Sequence, residues 1–370
     1  MNWIAEKNKT NRLIHKAHHG LLSGLRYLLT DGLLTDTLIS KSGFGYAKAL
    51  IFGEYAVMHG AEALVVALTP SLSVSLSNIR PFAGTADPHT SLSYTPDVTE
   101  KLETLLHSPI GFLSVCDDIG DFSLAADIQI DDRSFFDDSG EKLGIGSSAA
   151  TTVGLISAQI QAIREIRDIR ISPDDALKAA IQTHRAIQNQ MGSGADVIAS
   201  ALGGALLVQS CPANPEIRRI DSSMLPPFAL LVTHQQAPTS PFIHAAKQVS
   251  DTDRYKQIIR EITGVCREAS QSLMNRNTSD FLGIMASFPS MLQSLGECIQ
   301  MPVLPPVFHA LVPIAQKYHV ILKTSGAGGG DIFIAFAQHP ENIDAFVRNI
   351  PAEYRISRLH ADIAPVRQFP

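Results

Sequence analysis

The segment Gly144–Ala150, which reads GIGSSAA, constrains the fold of this chain more than any other feature of its sequence. Its two glycines allow a tight turn, and the residues that follow have the apolar spacing of a helix. The first amide groups of a helix have no partner within it, and together with the helix dipole they favour an anion. The pattern predicts a phosphate-binding loop. The alternative is a glycine turn followed by a serine-capped helix.

Other common loops of this kind are missing from the sequence. It contains no G-x-x-x-x-G-K-[ST] string, no G-x-G-x-x-G string and no G-x-S-x-G string. A P-loop, a dinucleotide fingerprint and a serine nucleophile elbow are therefore excluded. Ser147 and Ser148 add hydroxyl groups that can reach a phosphate oxygen or a Mg²⁺ ion.

Two further glycine clusters follow. Gly326–Asp331 stands between two apolar segments and holds more glycines than a hairpin turn needs, which indicates close approach to a ligand or to another loop. Gly192–Val197 carries Asp196 at a helix boundary. A carboxylate there either caps the helix, accepts a substrate proton or binds Mg²⁺.

Lys48 is the cation of the apolar segment Tyr46–Phe52. Burying an ammonium group is costly unless an anion faces it, so we expect a functional lysine rather than an exposed strand end.

Apolar periodicity predicts the following elements, which mix without Rossmann-like repetition and indicate an α+β fold in two layers. Strands are expected at 47–52, 63–68, 72–76, 122–130, 205–209, 228–233, 319–323 and 332–336, helices at 148–165, 173–190, 198–202, 253–275, 278–298 and 307–317, and a loop at 77–97.

The order of the lysine strand, the GIGSSAA loop, the GSGAD segment and the GAGGGD segment resembles the family of galactokinase, homoserine kinase, mevalonate kinase and phosphomevalonate kinase, the GHMP kinases. The resemblance covers about residues 44–340. It implies a two-domain α+β fold, with a ribosomal-protein-S5-like α/β domain at 44–215 that binds ATP and a ferredoxin-like α+β domain at 220–370. Residues 1–43 are expected to be an N-terminal extension.

Three details are similar to the phosphomevalonate kinase branch: GEY at 53–55, HRAIQ before GSGADV, and the final Asp331 of GAGGGD. The resemblance implies ATP-dependent phosphorylation of 5-phosphomevalonate in isoprenoid biosynthesis. Mevalonate kinase, diphosphomevalonate decarboxylase and a non-catalytic nucleotide-binding relative remain alternatives.

The resemblance also implies the roles of individual residues. Catalysis is assigned to Lys48 and Asp196, and the Mg²⁺ that accompanies ATP is assigned to Ser148 and Asp196. The residues expected to bind ATP are Gly144, Ile145, Gly146, Ser147, Ser148 and Ala149. Those expected to bind the acceptor are Glu54, Tyr55, Ser193, Gly194, Gly326, Ala327, Gly328 and Gly329. The glutamate that binds Mg²⁺ in mevalonate kinases has no clear match, because His184 and Arg185 occupy that region of the helix.

Composition limits the partners. With 30 basic and 36 acidic residues the formal net charge is −6, which does not favour a nucleic-acid surface. The longest apolar stretch, residues 47–68, is interrupted by charged residues, and we expect neither a membrane span nor a signal peptide. The four cysteines are far apart and typical of reduced thiols. We expect a cytoplasmic protein with a small-molecule substrate and no nucleic-acid or membrane partner, as a monomer or homodimer.

Overall fold

The computed structural model describes residues 40–82, 92–93, 123–167, 170–188, 192–209 and 214–370 of the chain. Nearly all of the expected extension at 1–43, together with Cys116 and Cys211, lies outside these residues.

The strands of the described residues form two sheets, and helices follow or separate them. The strands are β1 (Lys41–Phe52), β2 (Glu62–Phe82), β3 (Leu92–Ser93), β4 (Ser123–Asp131), β5 (Ala205–Gln209), β6 (Glu216–Ile220), β7 (Phe228–Val232), β8 (Ile321–Thr324), β9 (Ile332–Phe336) and β10 (Ser357–Leu359). The helices are α1 (Ser147–Arg167), α2 (Pro173–Ile187), α3 (Ala195–Leu202), α4 (Thr239–Val249), α5 (Asp253–Met274), α6 (Thr278–Ile299), α7 (Pro306–Lys317) and α8 (Pro340–Arg348).

The first sheet is organised around the long strand β2. Its strand order is β3-β4-β2-β5-β6, and β1 pairs with the opposite edge of β2. The two short strands expected at 63–68 and 72–76 are one continuous strand. The loop expected from residue 77 is wrong for its first part, because β2 continues to Phe82 and pairs with β4. A register shift between Ser77 and Arg80, with Asn78 at φ 52°, breaks the alternation from which a strand is recognised.

Helix α1 packs closely on β1 and β2. Gly45 makes this approach possible, since a Cβ atom there would lie 2.6 Å from the Cα atom of Ala150. Gly43 similarly faces α1 and would place a Cβ atom 2.6 Å from that of Ser157. The start of α1, and with it the GIGSSAA loop, is therefore held at a fixed distance from β1.

The second sheet has the antiparallel order β10-β7-β9-β8. Its core is continuous with that of the first sheet: Phe52 at the end of β1 lies 6.3 Å from Phe281 and 6.4 Å from Phe288 between ring centroids. Both aromatic partners belong to α6. The residues that join the two sheets lie between Ile220 and Phe228, while the exact domain limits of 44–215 and 220–370 stay a prediction.

The edge of β1 that does not pair with β2 is hydrogen-bonded to other parts of the chain. Gln161 donates a hydrogen bond to the carbonyl of Ser42 at 2.8 Å, and Arg367 donates to that of Phe44 at 2.7 Å. The guanidinium of Arg367 also lies 3.8 Å from the ring centroid of Phe44. Burial lowers the pKa of Arg367 to about 10. The C-terminal segment thus contacts the strand that carries Lys48.

The expected α+β fold is confirmed, with all the predicted helices present within a few residues of their expected limits. Five elements were missed: β3, β6, α4, α8 and β10. Within the described ranges, no helix has both the length and the hydropathy needed to cross a membrane.

Candidate active site

Lys48 lies on β1 where two glycine-containing loops meet that strand. Its backbone amide donates to the carbonyl of Ile145 at 2.9 Å. Two residues further on, the amide of Leu50 donates to Ser325 Oγ at 3.1 Å, and this hydroxyl donates to the Leu50 carbonyl at 3.0 Å. The strand edge therefore fixes both loops on either side of the lysine.

The first of these loops, residues 144–149, forms a surface on which the lysine side chain rests. Gly144 and Gly146 have φ values of 72° and 90°, in the left-handed region that favours glycine. A Cβ atom on Gly146 would lie 2.7 Å from Lys48 Cε. Helix α1 begins at Ser147, and the amide groups of its first turn have no partner inside the helix.

The second loop, residues 325–331, uses its glycines for two different purposes. Gly328 and Gly329 pack against protein, since added Cβ atoms would lie 2.7 Å from Val303 Cγ1 and 3.0 Å from Phe242 Cε2. Gly326, by contrast, has open space where a Cβ atom would be. The excess of glycines in this segment therefore serves loop packing at one end and an open cavity wall at the other.

Asp331 closes the second loop. Its amide donates to the carbonyl of Gln235 at 2.8 Å, and its Oδ1 accepts a hydrogen bond from the Ala237 amide at 3.2 Å. Burial raises the pKa of the Asp331 carboxyl above its ordinary value, against the effect of the Ala237 amide and the charges of Lys48 and Lys142. A carboxylate and two ammonium groups thus share one wall.

Two adjoining cavities open between these elements. We call the one between the two loops the loop cavity; its volume is about 380 Å³, within the range of small-molecule sites. Its lining includes Lys48, Lys142, Gly144, Gly146, Ser147, Ser148, Ala149, Gln188, Asp196, Gln236, Thr239, Ser240, Ser325, Gly326, Ala327, Gly328 and Asp331.

The second, which we call the side cavity, has a volume of about 150 Å³. Its polar lining residues include Lys48, Ser193, Asp196, Thr239 and Ser240, and its apolar lining residues include Leu50, Val57, Met58, Val65 and Ile243. Lys48 and Asp196 line both cavities, so they stand where two ligands would meet.

Asp196 is connected to the first loop through a buried histidine. It lies in the first turn of α3, and its Oδ1 accepts a hydrogen bond from the Val197 amide at 2.9 Å. His184 on α2 lies with Nδ1 3.8 Å from Asp196 Oδ2 and Nε2 3.3 Å from Ser148 Oγ. A serine hydroxyl and a carboxylate are oxygen donors of the kind that Mg²⁺ binds, and the imidazole of His184 stands between these two.

Glu54 has a partner that the sequence motif did not reveal. Its carboxylate forms a buried ion pair with Lys323, whose Nζ also donates to the carbonyl of Thr324 at 2.6 Å. Burial raises the pKa of Glu54, and the charge of Lys323 opposes that shift. Lys323 was missed, although it is a lone cation in an apolar strand, the same signal that singled out Lys48.

Tyr55 connects the same motif to the second loop. Its φ of 59° is unusual for a tyrosine, and its hydroxyl donates to the carbonyl of Ala327 at 2.7 Å. Burial raises the pKa of this hydroxyl. Together, Glu54 and Tyr55 join the end of β1 to the second sheet and build the wall of the side cavity.

Three of the expected site residues do not line either cavity. Ile145 is buried and contributes its carbonyl to Lys48, Gly194 precedes α3 with φ 79°, and Gly329 packs under Phe242. Lining residues of the loop cavity that were not predicted as site residues include Lys142, Gln188, Gln236, Thr239, Ser240, Ser325 and Asp331.

A second group of possible metal ligands is formed by Asp137, Glu141 and His234. These residues line neither cavity, and Arg355 contacts Glu141 at 3.2 Å. The group therefore differs from the Ser148 and Asp196 pair expected for Mg²⁺.

Comparison with known proteins relates the chain to a family of kinases. The family described as GHMP kinases N terminal domain matches residues 116–204. The phosphomevalonate kinase of Streptomyces sp. (strain CL190) is 25% identical over 332 residues, which are 78% of this chain and 87% of that protein.

Two solved structures share the fold over most of the chain. A Lin0012 protein from Listeria innocua superposes with a TM-score of 0.70 at 19% identity, covering 89% of this chain and 100% of the other. Streptococcus pneumoniae phosphomevalonate kinase in complex with phosphomevalonate and AMPPNP superposes with a TM-score of 0.63 at 18% identity, covering 87% and 99%.

The lysine of β1, the glycine-serine loop at the start of α1 and Asp196 lie together around the two cavities. Residues 116–204 match the N-terminal domain of the GHMP kinases, and the likeness to the Streptomyces phosphomevalonate kinase supports a phosphotransferase of that superfamily. Among its relatives the chain resembles the phosphomevalonate kinases.

Proposed function

We propose that this protein transfers the terminal phosphoryl group of ATP to the phosphate of 5-phosphomevalonate, forming 5-diphosphomevalonate and ADP. The observation that carries the proposal is the position of Lys48, which lines both the loop cavity and the side cavity. Donor and acceptor are both anionic in this reaction, and a cation between them offsets their repulsion. The likeness to a curated phosphomevalonate kinase supports this choice of acceptor.

ATP would occupy the loop cavity. The amides of Ser147, Ser148 and Ala149 in the first turn of α1 would bind its phosphates, and Gly144 and Gly146 let the loop lie against Asp331 and Lys48. Mg²⁺, held by Ser148 and Asp196, would neutralise part of the phosphate charge when bound.

5-Phosphomevalonate would occupy the side cavity, with its phosphate toward Lys48 and its methyl-bearing carbon chain toward Leu50 and Val57. Tyr55 and Ser193 would contact it there, along with Gly326 and Ala327. One acceptor phosphate oxygen forms the new bond to the γ-phosphorus, and the bond from that phosphorus to the β–γ bridging oxygen breaks. ADP leaves with that electron pair. The acceptor phosphate is largely deprotonated at neutral pH, so this step requires no general base.

Mevalonate is a second candidate acceptor, and one observation favours it. The Asp196 side chain is 31% exposed and lines the side cavity, where its carboxylate can accept the proton that an alcohol must lose.

The proposal is tested by incubating the protein with Mg·ATP and, separately, mevalonate, 5-phosphomevalonate or 5-diphosphomevalonate. ADP release and the ³¹P spectrum of the product are measured. Phosphomevalonate alone should give a new diphosphate. Turnover of mevalonate would overturn the proposal in favour of the second candidate, and CO₂ released with ADP would indicate a decarboxylase. ATP binding without turnover of any acceptor would indicate a non-catalytic relative.

A further inference from the structure

His184 is a buried side chain next to the site, and the proposed reaction assigns it no task. It lies on α2, with 1% of its surface exposed, between the first loop and the start of α3. Its two ring nitrogens face different partners, Ser148 on one side and Asp196 on the other. A neutral imidazole donates at one nitrogen and accepts at the other, so its tautomer determines what each partner can do.

The partners at Nδ1 and Nε2 select one tautomer. Nδ1 faces a carboxylate oxygen of Asp196 at 3.8 Å, and a lone pair there would be repelled by that charge. Nε2 faces Ser148 Oγ at 3.3 Å and the amide nitrogen of Gln188 at 3.4 Å. An amide nitrogen can only donate, and a hydroxyl can donate. The proton therefore belongs on Nδ1, and Nε2 accepts.

We propose that His184 is a positioning residue in its Nδ1–H tautomer. Its Nε2 atom accepts a hydrogen bond from the hydroxyl group of Ser148, which leaves the lone pairs of Ser148 Oγ directed at the loop cavity. Ser148 then offers an acceptor to a cation and has no proton to donate to a phosphate. This inference rests on the proposed nucleotide site. It gives Ser148 one role where the sequence left two, phosphate contact and metal contact.

Burial keeps this arrangement in place. His184 lies on the buried side of α2 together with Thr183 and Ala180, and its neighbours Ala176 to Ile181 pack in the core of the first sheet. A charged group that faces the ring is the carboxylate of Asp196 on α3. Removing a residue that orients a metal ligand commonly lowers the metal affinity by about 10- to 100-fold.

The first test reads the tautomer directly in the ligand-free protein. The ¹⁵N shifts of histidine side chains are recorded near pH 7.5, and the His184 signals are assigned by their loss in His184→Gln. A protonated Nδ1 and a bare Nε2 are expected. A proton on Nε2 would overturn the inference, whatever acceptor the enzyme uses.

The second test uses two variants of similar size and polarity. In His184→Gln the side-chain oxygen can reach the position of Nε2 and accept from Ser148, whereas the shorter amide of His184→Asn reaches only the position of Nδ1. Binding of a non-hydrolysable ATP analogue is measured by calorimetry with and without Mg²⁺. The gain in affinity from Mg²⁺ should persist in His184→Gln within about threefold and fall by about tenfold or more in His184→Asn.

A double variant with Ser148→Ala completes the cycle, and it should bind Mg·nucleotide no more weakly than Ser148→Ala alone. Full retention of the Mg²⁺ effect in His184→Asn, or equal loss in both His184 variants, would contradict the inference. These measurements involve no acceptor. If none of the mevalonate-pathway acceptors were phosphorylated, the proposed function would be wrong, and the role of His184 would still be decided by the binding measurements alone.

Discussion

Gly144 lies directly against the side chain of Asp331: a Cβ atom on this glycine would be 2.6 Å from the Cβ atom of the aspartate. The two residues come from the two loops that bound the loop cavity, one beside each sheet. Their contact closes one wall of that cavity, so the distance between the loops depends on the missing side chain at position 144.

Gly144→Ala should therefore weaken ATP binding by about tenfold or more, because the added methyl group pushes the loops apart as well as straining a backbone at φ 72°. Gly140→Ala is the matched control, since Gly140 has φ 81° and open space around it. It should lose only the backbone cost of about 1–2 kcal/mol in stability and bind ATP normally. Equal ATP affinity in the two variants, measured by calorimetry, would contradict this account.

Lys48→Met should lower kcat by about 100-fold or more, because the charge between donor and acceptor is lost in the transition state. Lys142→Met is the control, since Lys142 lines the loop cavity but not the side cavity. It should weaken ATP binding with a smaller effect on kcat. Steady-state kinetics with 5-phosphomevalonate compare the two variants. An equally large loss of kcat in Lys142→Met would contradict the claim that Lys48 acts between donor and acceptor.

Asp196→Asn separates the two candidate acceptors. With a phosphate acceptor no proton has to be removed, and the variant should retain kcat within about tenfold at saturating Mg²⁺. With an alcohol acceptor the loss should be about 100-fold or more. The rate is measured at several Mg²⁺ concentrations, so that weaker metal binding is distinguished from slower chemistry.

Lys323→Met should destabilise the protein by about 3–5 kcal/mol, because it leaves the Glu54 carboxylate buried without a partner. The double variant with Glu54→Gln should recover part of this loss, since no buried charge then remains. Arg254→Met, which breaks the exposed pair with Glu297, should cost about 1 kcal/mol or less. The free energy of unfolding of all three variants is measured in urea. A similar loss for Lys323→Met and Arg254→Met would show that breaking the buried pair destabilises the protein no more than breaking an exposed one.

Asp331→Asn should stabilise the ligand-free protein increasingly as the pH rises. The raised pKa of Asp331 means that the folded state holds the proton more tightly than the unfolded state, for which the ordinary value is 3.8. The contribution of this group to stability is present below that value and is lost as the pH rises through the folded pKa. The variant avoids this loss.

The unfolding free energies of Asp331→Asn and the parent protein are compared at pH 4 and pH 7.5. Asp137→Asn is the opposite case, because hydrogen bonds from Ser139 lower the pKa of Asp137 and its contribution is lost as the pH falls. If Asp331→Asn were less stable than the parent at pH 7.5, the buried carboxylate would be a net stabilising group.

Sequence patterns predicted those elements that bury one continuous apolar face. In helix α1 the apolar residues Val153, Ile156, Ile160 and Ile163 recur at helical spacing and are buried, and strand β9 is an apolar run, IFIAF, that is buried throughout. The missed elements bury little: β6 reads EIRRI and is mostly exposed, and α4 buries only Phe242 and Ala246. Strand β10 has three residues and forms only because β7 provides a partner. Pairing with a distant strand is not a local property of the chain.

The same limit applies to the site. Lys48, the first loop and Asp196 were predicted because each stands in a local pattern that implies chemistry. The partner of Glu54, Lys323, lies 269 positions away in the chain. Position 329 has no room for a side chain because the ring of Phe242, from another element, packs against it. Such relationships require the folded chain, although a lone lysine in an apolar strand is a signal that applies equally to Lys323.

The occupied edge of β1 has a consequence for association between molecules. An unpaired strand edge offers its amides and carbonyls as a template for a strand of another chain. On β1 the positions of Ser42, Phe44, Lys48 and Leu50 are already bonded to Gln161, Arg367, Ile145 and Ser325. The loops that line the cavities therefore also block pairing of this edge with a strand of another molecule. A ligand that holds the loops in place should reduce aggregation as well as stabilise the protein against unfolding.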